Sequence, residues 1–189
     1  MVVFRLLSIF VSAGFVALML AGTAQARDVQ VGNLVIESPW SRATPGGAKV
    51  GVGFLAIVNI GNEPDRLTAA TSPIAERVEI HSTSMDGGVM RMRQITSGLE
   101  VKAQEVTEFK PGGLHLMFIG LKRQIKKGDE LPVRLTFTNA GAIDLIFVAA
   151  AIGAKSGPRR PGLDAAAGSR SGAYGQTKQG SSAGAKHDR

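Results

Sequence analysis

The chain has 189 residues and no cysteine, and its 22 Lys and Arg against 15 Asp and Glu give a formal net charge of +7. The lack of cysteine excludes disulfides, thiolate nucleophiles and thiolate metal ligands. Most of the excess positive charge follows residue 152, outside the hydrophobic part of the chain. The high pI therefore does not indicate a nucleic-acid-binding fold, which requires basic and aromatic residues together on one structured face.

Residues 1–26 have the pattern of an export signal. Arg5 supplies the positive n-region, residues 6–21 form an apolar run, and Ala24-Gln25-Ala26 places small residues where a signal peptidase reads them. The run of 16 residues is shorter than the roughly 20 that span a bilayer as a helix. We predict cleavage after Ala26 and a periplasmic protein. An uncleaved anchor is the alternative and would be the one membrane contact. No cysteine adjoins the cleavage point, so no lipid anchor is expected.

Residues 27–152 are predicted to form one all-β domain. No stretch of 11 residues sustains a helical apolar period while avoiding Gly and Pro. Short runs rich in Val, Ile, Leu, Phe and Thr alternate with turn residues, which favours a β-sandwich or small barrel. Trp40 follows Pro39 and is predicted to pack at one end of the sandwich. The predicted strands are 34–37, 50–59, 65–70, 77–82, 89–95, 105–109, 114–119, 131–138 and 143–150.

Methionine and histidine cluster in one window of this domain, residues 81–117. Methionine usually serves as adaptable core filler, and filler would be scattered over all the strands. The other predicted strands use Val, Leu, Ile and Phe and contain no methionine. Each of these side chains taken singly is more often a packing or surface residue, but the combination favours a metal site. The clustered residues are His81, Met85, Met90, Met92, His115 and Met117.

Strand geometry groups four of these residues. His115 and Met117 are two apart, so both project from one face of a strand. Asp86-Gly87 is a favoured pair for a two-residue type I′ hairpin loop, and counting outward from it places His81 opposite Met92. Sheet packing would then bring the two pairs together as four ligands.

The ligand types favour copper(I). Thioethers are soft and imidazole is a borderline donor, whereas zinc prefers thiolate, imidazole or carboxylate and calcium prefers oxygen. A blue-copper electron carrier requires a cysteine thiolate and is therefore excluded. Only the two imidazoles must lose protons, so copper affinity is expected to fall near pH ~6.5 and below.

Residues 153–189 are predicted to form a disordered basic tail. The segment is rich in Gly, Ala and Ser and carries seven Lys and Arg against two Asp, so it cannot bury enough apolar surface to offset its ordering entropy. We expect it to be solvated, although it could touch an anionic headgroup or an acidic partner. His187 is expected to be no more than a polar tail residue.

The spacing of these residues resembles the signature of the periplasmic copper chaperone family PCu(A)C. His81 is followed after ten residues by Met92, and after twenty-two more by His115-Leu116-Met117. Segments 38–45 and 110–117 are also similar to the family, and the resemblance covers about residues 32–150. It implies a cupredoxin-like Greek-key β-sandwich with one Cu(I) ion at a solvent-accessible site. The ligands it implies are His81, Met92, His115 and Met117, the set that strand geometry also favours.

The resemblance further implies delivery of copper toward the CuA centre of cytochrome c oxidase. Oxidase subunit II and a thioredoxin-like copper assembly protein are the implied partners. Some relatives end in a tail rich in His and Met, but this tail has no methionine, so a second copper site there is not expected.

The expected function is that of a monomeric periplasmic copper carrier and metallochaperone, not an enzyme. The sequence shows no Ser-His-Asp or paired-carboxylate arrangement. Both domain histidines are expected to be ligands, which leaves little for acid–base catalysis. Two alternatives stay open. The protein could sequester copper for resistance, or it could be a structural β-sandwich in which the Met and His cluster is merely packed.

Overall fold

The computed structural model describes residues 28–158. The predicted signal peptide lies outside the described residues, as does the predicted tail beyond Pro158. Residues 28–158 form strands and turns without a helix, and so contain no helix long and apolar enough to cross a membrane. The strands are β1 (Val29–Val31), β2 (Leu34–Arg42), β3 (Val50–Asn59), β4 (Asp65–Thr71), β5 (Arg77–Asp86), β6 (Val89–Gln94), β7 (Leu99–Val101), β8 (Val106–Phe109), β9 (Leu114–Ile119), β10 (Glu130–Phe137) and β11 (Ala142–Ala150).

All nine strands predicted from the sequence are present, and two short ones were missed. β1 and β7 have three residues each, too few to show a period-2 pattern. Alternation is clearest in β10 and β11, where every second side chain is buried and those between are mostly exposed. These two strands pair antiparallel, with Leu131 opposite Phe147 and Val133 opposite Leu145.

The strands form one sheet that closes on itself. Its order is β6-β5-β9-β8-β3-β2-β11-β10-β4-β7, and β1 pairs with β2. Pairing of β4 with β5 through Ala70 and Val78 completes a ring of strands around one core. Chain neighbours β4 and β5, each next to the last strand at one end of this order, thus close the ring, while β2 and β11 pair in parallel. The prediction of an all-β Greek-key sandwich is confirmed.

The main core fills the inside of this ring. Phe118 of β9 meets Phe147 of β11 edge-on, with ring centroids 6.4 Å apart. Gly53 of β3 leaves room for both rings, since a Cβ there would lie 2.9 Å from Phe118 and 3.1 Å from Phe147. Because successive side chains on a strand point to opposite faces, the residues beside Phe118 point away from the core, to what we call the outer face.

Trp40 packs on the outer face, so its predicted position at one end of the sandwich was wrong. Its ring lies 4.6 Å from that of Phe54, and Ala150 completes this small cluster. Pro39 has no N–H to donate, and the β2–β3 register shifts between Glu37 and Trp40. The shift places Trp40 opposite Phe54. The segment after β11 also packs there, where Arg42 Nε donates to the Ala154 carbonyl at 2.6 Å.

Replacing neighbouring residues of β9 should test the two faces. Leu116 is fully buried, so Leu116→Ala should cost about 2–5 kcal/mol in free energy of unfolding. Met117 is half-buried on the outer face, and Met117→Leu should cost less than about 1.5 kcal/mol because the volume is conserved. Urea denaturation of the metal-free protein measures both. Equal destabilisation by the two substitutions would contradict this assignment of faces.

Candidate metal centre

Pairing of β5 with β9 brings the two domain histidines together. His81 lies directly opposite His115, and their ring centroids are 5.8 Å apart. Ile80 and Leu116 are opposed in the same ladder and are buried in the main core. The histidines therefore occupy the outer face, and they are brought together by hydrogen-bonded neighbouring strands. The expectation that the packing of sheets would join them was wrong.

Met117 shares this face. It is two residues from His115 on β9 and lies opposite Glu79 of β5 on one side and Val52 of β3 on the other. Val52 packs against the Trp40–Phe54 cluster, so an apolar patch flanks Met117. His81, His115 and Met117 thus occupy one face of two adjacent strands.

The hairpin turn before Met92 differs from the sequence prediction. Asp86 pairs with Val89, so the two loop residues are Gly87 and Gly88, with φ of 57° and 80°. A type I′ turn requires positive φ at both central positions, which two glycines adopt at lower cost than Asp-Gly. Asp86 stays in the strand, where it forms an ion pair with Arg91 at 3.2 Å.

The corrected turn changes the partner of His81 but not the face on which Met92 lies. His81 lies opposite Gln94, and Met92 lies opposite Thr83, two residues along β5. A shift of two residues preserves the side of the sheet. Met92 therefore lies diagonally from His81, a distance that a long side chain spans. It is 53% exposed, so Met92 is the least enclosed of the four predicted ligands.

The carbonyl oxygen of Gly113 holds the His115 ring. A carbonyl only accepts hydrogen bonds, so His115 Nδ1 carries the proton and donates to it at 3.1 Å. The same carbonyl accepts the backbone N–H of Thr83 at 3.1 Å, which ties the turn before β9 to β5. With Nδ1 protonated, Nε2 of His115 carries the lone pair available to a metal.

Glu79 holds the His81 ring through Nε2, whereas the His115 ring is held through Nδ1. Its Oε2 accepts a hydrogen bond from His81 Nε2 at 2.7 Å, and its Oε1 accepts one from Arg77 Nε at 2.7 Å. Nδ1 of His81 is buried and has no hydrogen-bond partner. A buried polar atom without a partner is costly, and a lone pair left free in this way suits a metal ligand.

The pKa values of His115 and Glu79 are both shifted in the direction that favours binding of a cation. Burial lowers the pKa of His115, against a smaller opposing effect of the hydrogen bond to Gly113, so its ring is neutral at neutral pH. The hydrogen bonds from Arg77 and then from His81 lower the pKa of Glu79, which keeps its carboxylate ionised. His115 therefore has its Nδ1 proton held by a carbonyl oxygen and its Nε2 free to bind a metal. In His81, Nε2 is held by Glu79, and Nδ1 is the buried nitrogen without a hydrogen-bond partner.

Two contributors to this site were missed in the sequence. Glu79 lies two residues before His81, and the alternation of side chains along a strand could have placed both on one face. The Gly113 carbonyl has no side-chain signature, so only the turn sequence before His115 pointed to that region. Within residues 28–158, no three His, Asp or Glu side chains are grouped so as to hold a metal ion.

Known proteins of similar sequence share this domain. The model of the family described as "Putative lipoprotein LpqE-like" matches residues 34–149. "Putative lipoprotein Lxx21020" of Leifsonia xyli subsp. xyli (strain CTCB07) is 28% identical over 123 residues, which are 65% of this chain and 73% of that protein. "Uncharacterized protein RP573" of Rickettsia prowazekii (strain Madrid E) is 28% identical over 102 residues, which are 52% of this chain but only 56% of that protein.

Solved structures share the fold. The copper-bound PCuAC domain from PmoF2 superposes with a TM-score of 0.58 at 22% identity, covering 66% of this chain and 98% of that domain. The solution structure of CuI-DR1885 from Deinococcus radiodurans gives a TM-score of 0.51 at 22% identity, covering 73% of this chain and 89% of that one. Together with the match over most of the strand-forming region, these likenesses confirm the family resemblance: the chain belongs to the LpqE-like family and has the fold of PCuAC domains.

Proposed function

We propose that this protein is a copper(I) carrier whose ion is bound by His81, Met92, His115 and Met117. The observation that carries the proposal is the pair of opposed imidazoles, each with one fixed N–H and one free nitrogen. His81 would bind through Nδ1 and His115 through Nε2, because the other nitrogen of each ring is already used by Glu79 or Gly113. This is the tautomer arrangement that metal-bound histidines adopt.

The donor set supports copper(I) over other ions. Two neutral imidazoles and two neutral thioethers suit a soft monovalent cation, and no cysteine is available for a thiolate site. The ionised carboxylate of Glu79 lies behind His81 and offsets the positive charge of the ion without having to bind it. Copper-bound and CuI forms of proteins with this fold support the same ion.

The partial exposure of the site supports a carrier. His115 is buried, His81 and Met117 are half-buried, and Met92 is mostly exposed. Copper(I) held in this way is shielded on the side of the histidines and open on the side of Met92, where an acceptor can displace the thioether. Neutral thioethers bind less tightly than thiolates, so release to a thiolate-rich acceptor is favourable.

We infer delivery outside the inner membrane, toward the CuA centre of cytochrome c oxidase. The predicted signal peptide and the lipoprotein names of the family and of the Leifsonia relative support export. Methionine ligands suit an oxidising compartment, where cysteines would form disulfides. Oxidase subunit II and a thioredoxin-like copper assembly protein are the proposed partners.

Copper(I) titration against a chromogenic chelator tests the proposed site. The mature protein should bind one tight equivalent, and His81→Ala or His115→Ala should lower the affinity more than about 100-fold, because a lost ligand costs more than the 10–100-fold of a lost outer partner. Thr83→Ala alters the same face without removing a proposed ligand and serves as the matched control. A folded protein that takes up no copper(I) would instead be a structural sandwich. Copper(I) that stays on this protein in the presence of an oxidase subunit II fragment would indicate sequestration instead of delivery.

Glu79→Ala should weaken copper(I) binding about 10–100-fold, because His81 loses the acceptor that fixes its tautomer and orientation. Glu108→Ala removes a surface carboxylate of another exposed ion pair and should leave the affinity unchanged. The same chelator competition measures both variants. Equal affinity in Glu79→Ala and the parent would show that the carboxylate does not orient the ligand.

Copper(I) affinity should be constant above pH ~7 and should fall as the pH is lowered through ~6.5. The metal ion and a proton compete for the same ring nitrogens, and a ring that is protonated at both nitrogens cannot bind the ion. The lowered pKa of His115 means that competition at this ring begins below the usual imidazole range. Titrations at neutral and mildly acidic pH, corrected for the chelator's own protonation, measure the change. Equal affinities across this range would contradict imidazole ligation.

A further inference from the structure

Three methionines of the β5–β6 hairpin are exposed, although large apolar side chains are usually buried. Met85 is 68%, Met90 65% and Met92 53% exposed, and all six residues of β6 face solvent at the edge of the sheet. Met92 is accounted for by the proposed site. Met85 and Met90 have no role in that site and no role in the core.

The register pairs these two residues with each other. Met85 lies directly opposite Met90, on the face shared by Met92 and His81. Further along the hairpin, Ile95 donates its backbone N–H to Ile80 at 2.8 Å. Hydrogen-bonded and non-hydrogen-bonded pairs alternate along an antiparallel ladder, so Met85 and Met90 form a non-hydrogen-bonded pair, the type in which side chains approach more closely. Their Cβ atoms are therefore expected about 4.5–5.5 Å apart.

The chemistry of the pair matches the proposed cargo. Two neutral thioethers on flexible side chains can bend toward one soft cation, and nothing hard or anionic lies between them on this face. The charged residues of β6, Arg91 and Arg93, lie opposite Ser84 and Ser82 and so point to the other face. From the tip of the hairpin inward, the shared face presents the pair Met85 and Met90, then Met92, then His81.

We propose that Met85 and Met90 form a second, weaker copper(I) site through which the ion enters and leaves the four-ligand site. The inference rests on the proposed function. Copper remains in the +1 state throughout, and no proton or electron moves. Each transfer forms a bond from copper to one thioether sulfur and breaks the bond to another, with Met92 adjoining both sites. The outer site is weaker because it has two ligands instead of four.

Titration of the intact protein with Ag(I), a soft monovalent ion that does not change oxidation state, tests this proposal. For this titration the protein is prepared with ¹³C-labelled methionine methyl groups, so the NMR signal beside each sulfur is followed separately. The first equivalent should shift the methyl signals of Met92 and Met117. Further Ag(I) should shift those of Met85 and Met90. Signals of Met85 and Met90 that stay unmoved while Met92 and Met117 shift would overturn the outer site and leave the proposed function intact.

Met85→Leu/Met90→Leu keeps the apolar surface and removes only the sulfur. We expect this variant to retain the first equivalent, to lose the weaker binding, and to take up copper(I) from a chelator more slowly than the parent. Val89→Ser alters an exposed apolar residue on the other face of the hairpin and should change neither property. Parent-like weak binding and uptake in the double Leu variant would overturn the proposal. Shifts of Met85 and Met90 without those of Met92 and Met117 would instead support the outer pair and contradict the four-ligand site.

Discussion

The pairing of β5 with β9 is the constraint on which the candidate site depends. It sets Ile80 against Leu116 on the core side and His81 against His115 on the other side, one residue along each strand. Burial of Leu116 and Phe118 fixes this register, since a slip of β9 by one residue would move His115 into the core and leave these apolar side chains in solvent. The hydrophobic core thus determines where the imidazoles lie, although neither imidazole belongs to it.

Hydrogen bonds then fix the orientation of the two neighbouring histidines that we propose as ligands. Glu79 and the Gly113 carbonyl each take one N–H, which leaves Nδ1 of His81 and Nε2 of His115 as the free nitrogens. The Gly113 carbonyl also accepts the N–H of Thr83, so the element that orients one histidine is bound to the strand that carries the other. The thioethers have no such support, and their flexibility suits an ion that must be released. Oriented nitrogen donors and thioethers on flexible side chains together fit the proposed carrier.

Much of this arrangement could be predicted from the sequence, and the parts that could not have identifiable causes. Short runs rich in Val, Ile, Leu, Phe and Thr between turn residues predicted the nine longer strands, and the two-residue spacing of His115 and Met117 predicted their common face. Asp86-Gly87 and Gly87-Gly88 both satisfy the rule for a tight hairpin, so the turn, and with it the partner of His81, could not be chosen from local preference alone. Trp40 was misplaced because a shift of register after Glu37 has no reliable sequence signal. Pairing of β5 with β9 joins segments more than thirty residues apart, which no local pattern specifies.

The central claim is that two imidazole nitrogens and two thioether sulfurs share one copper(I) ion on the outer face of β5, β6 and β9. X-ray absorption at the copper edge of the protein loaded with one equivalent of Cu(I) tests it most directly, because nitrogen and sulfur scatter differently. The account predicts a shell with both nitrogen and sulfur, in which sulfur scattering decreases in Met117→Leu and in Met92→Leu. A shell of nitrogen and oxygen alone, or one that neither substitution changes, would contradict it.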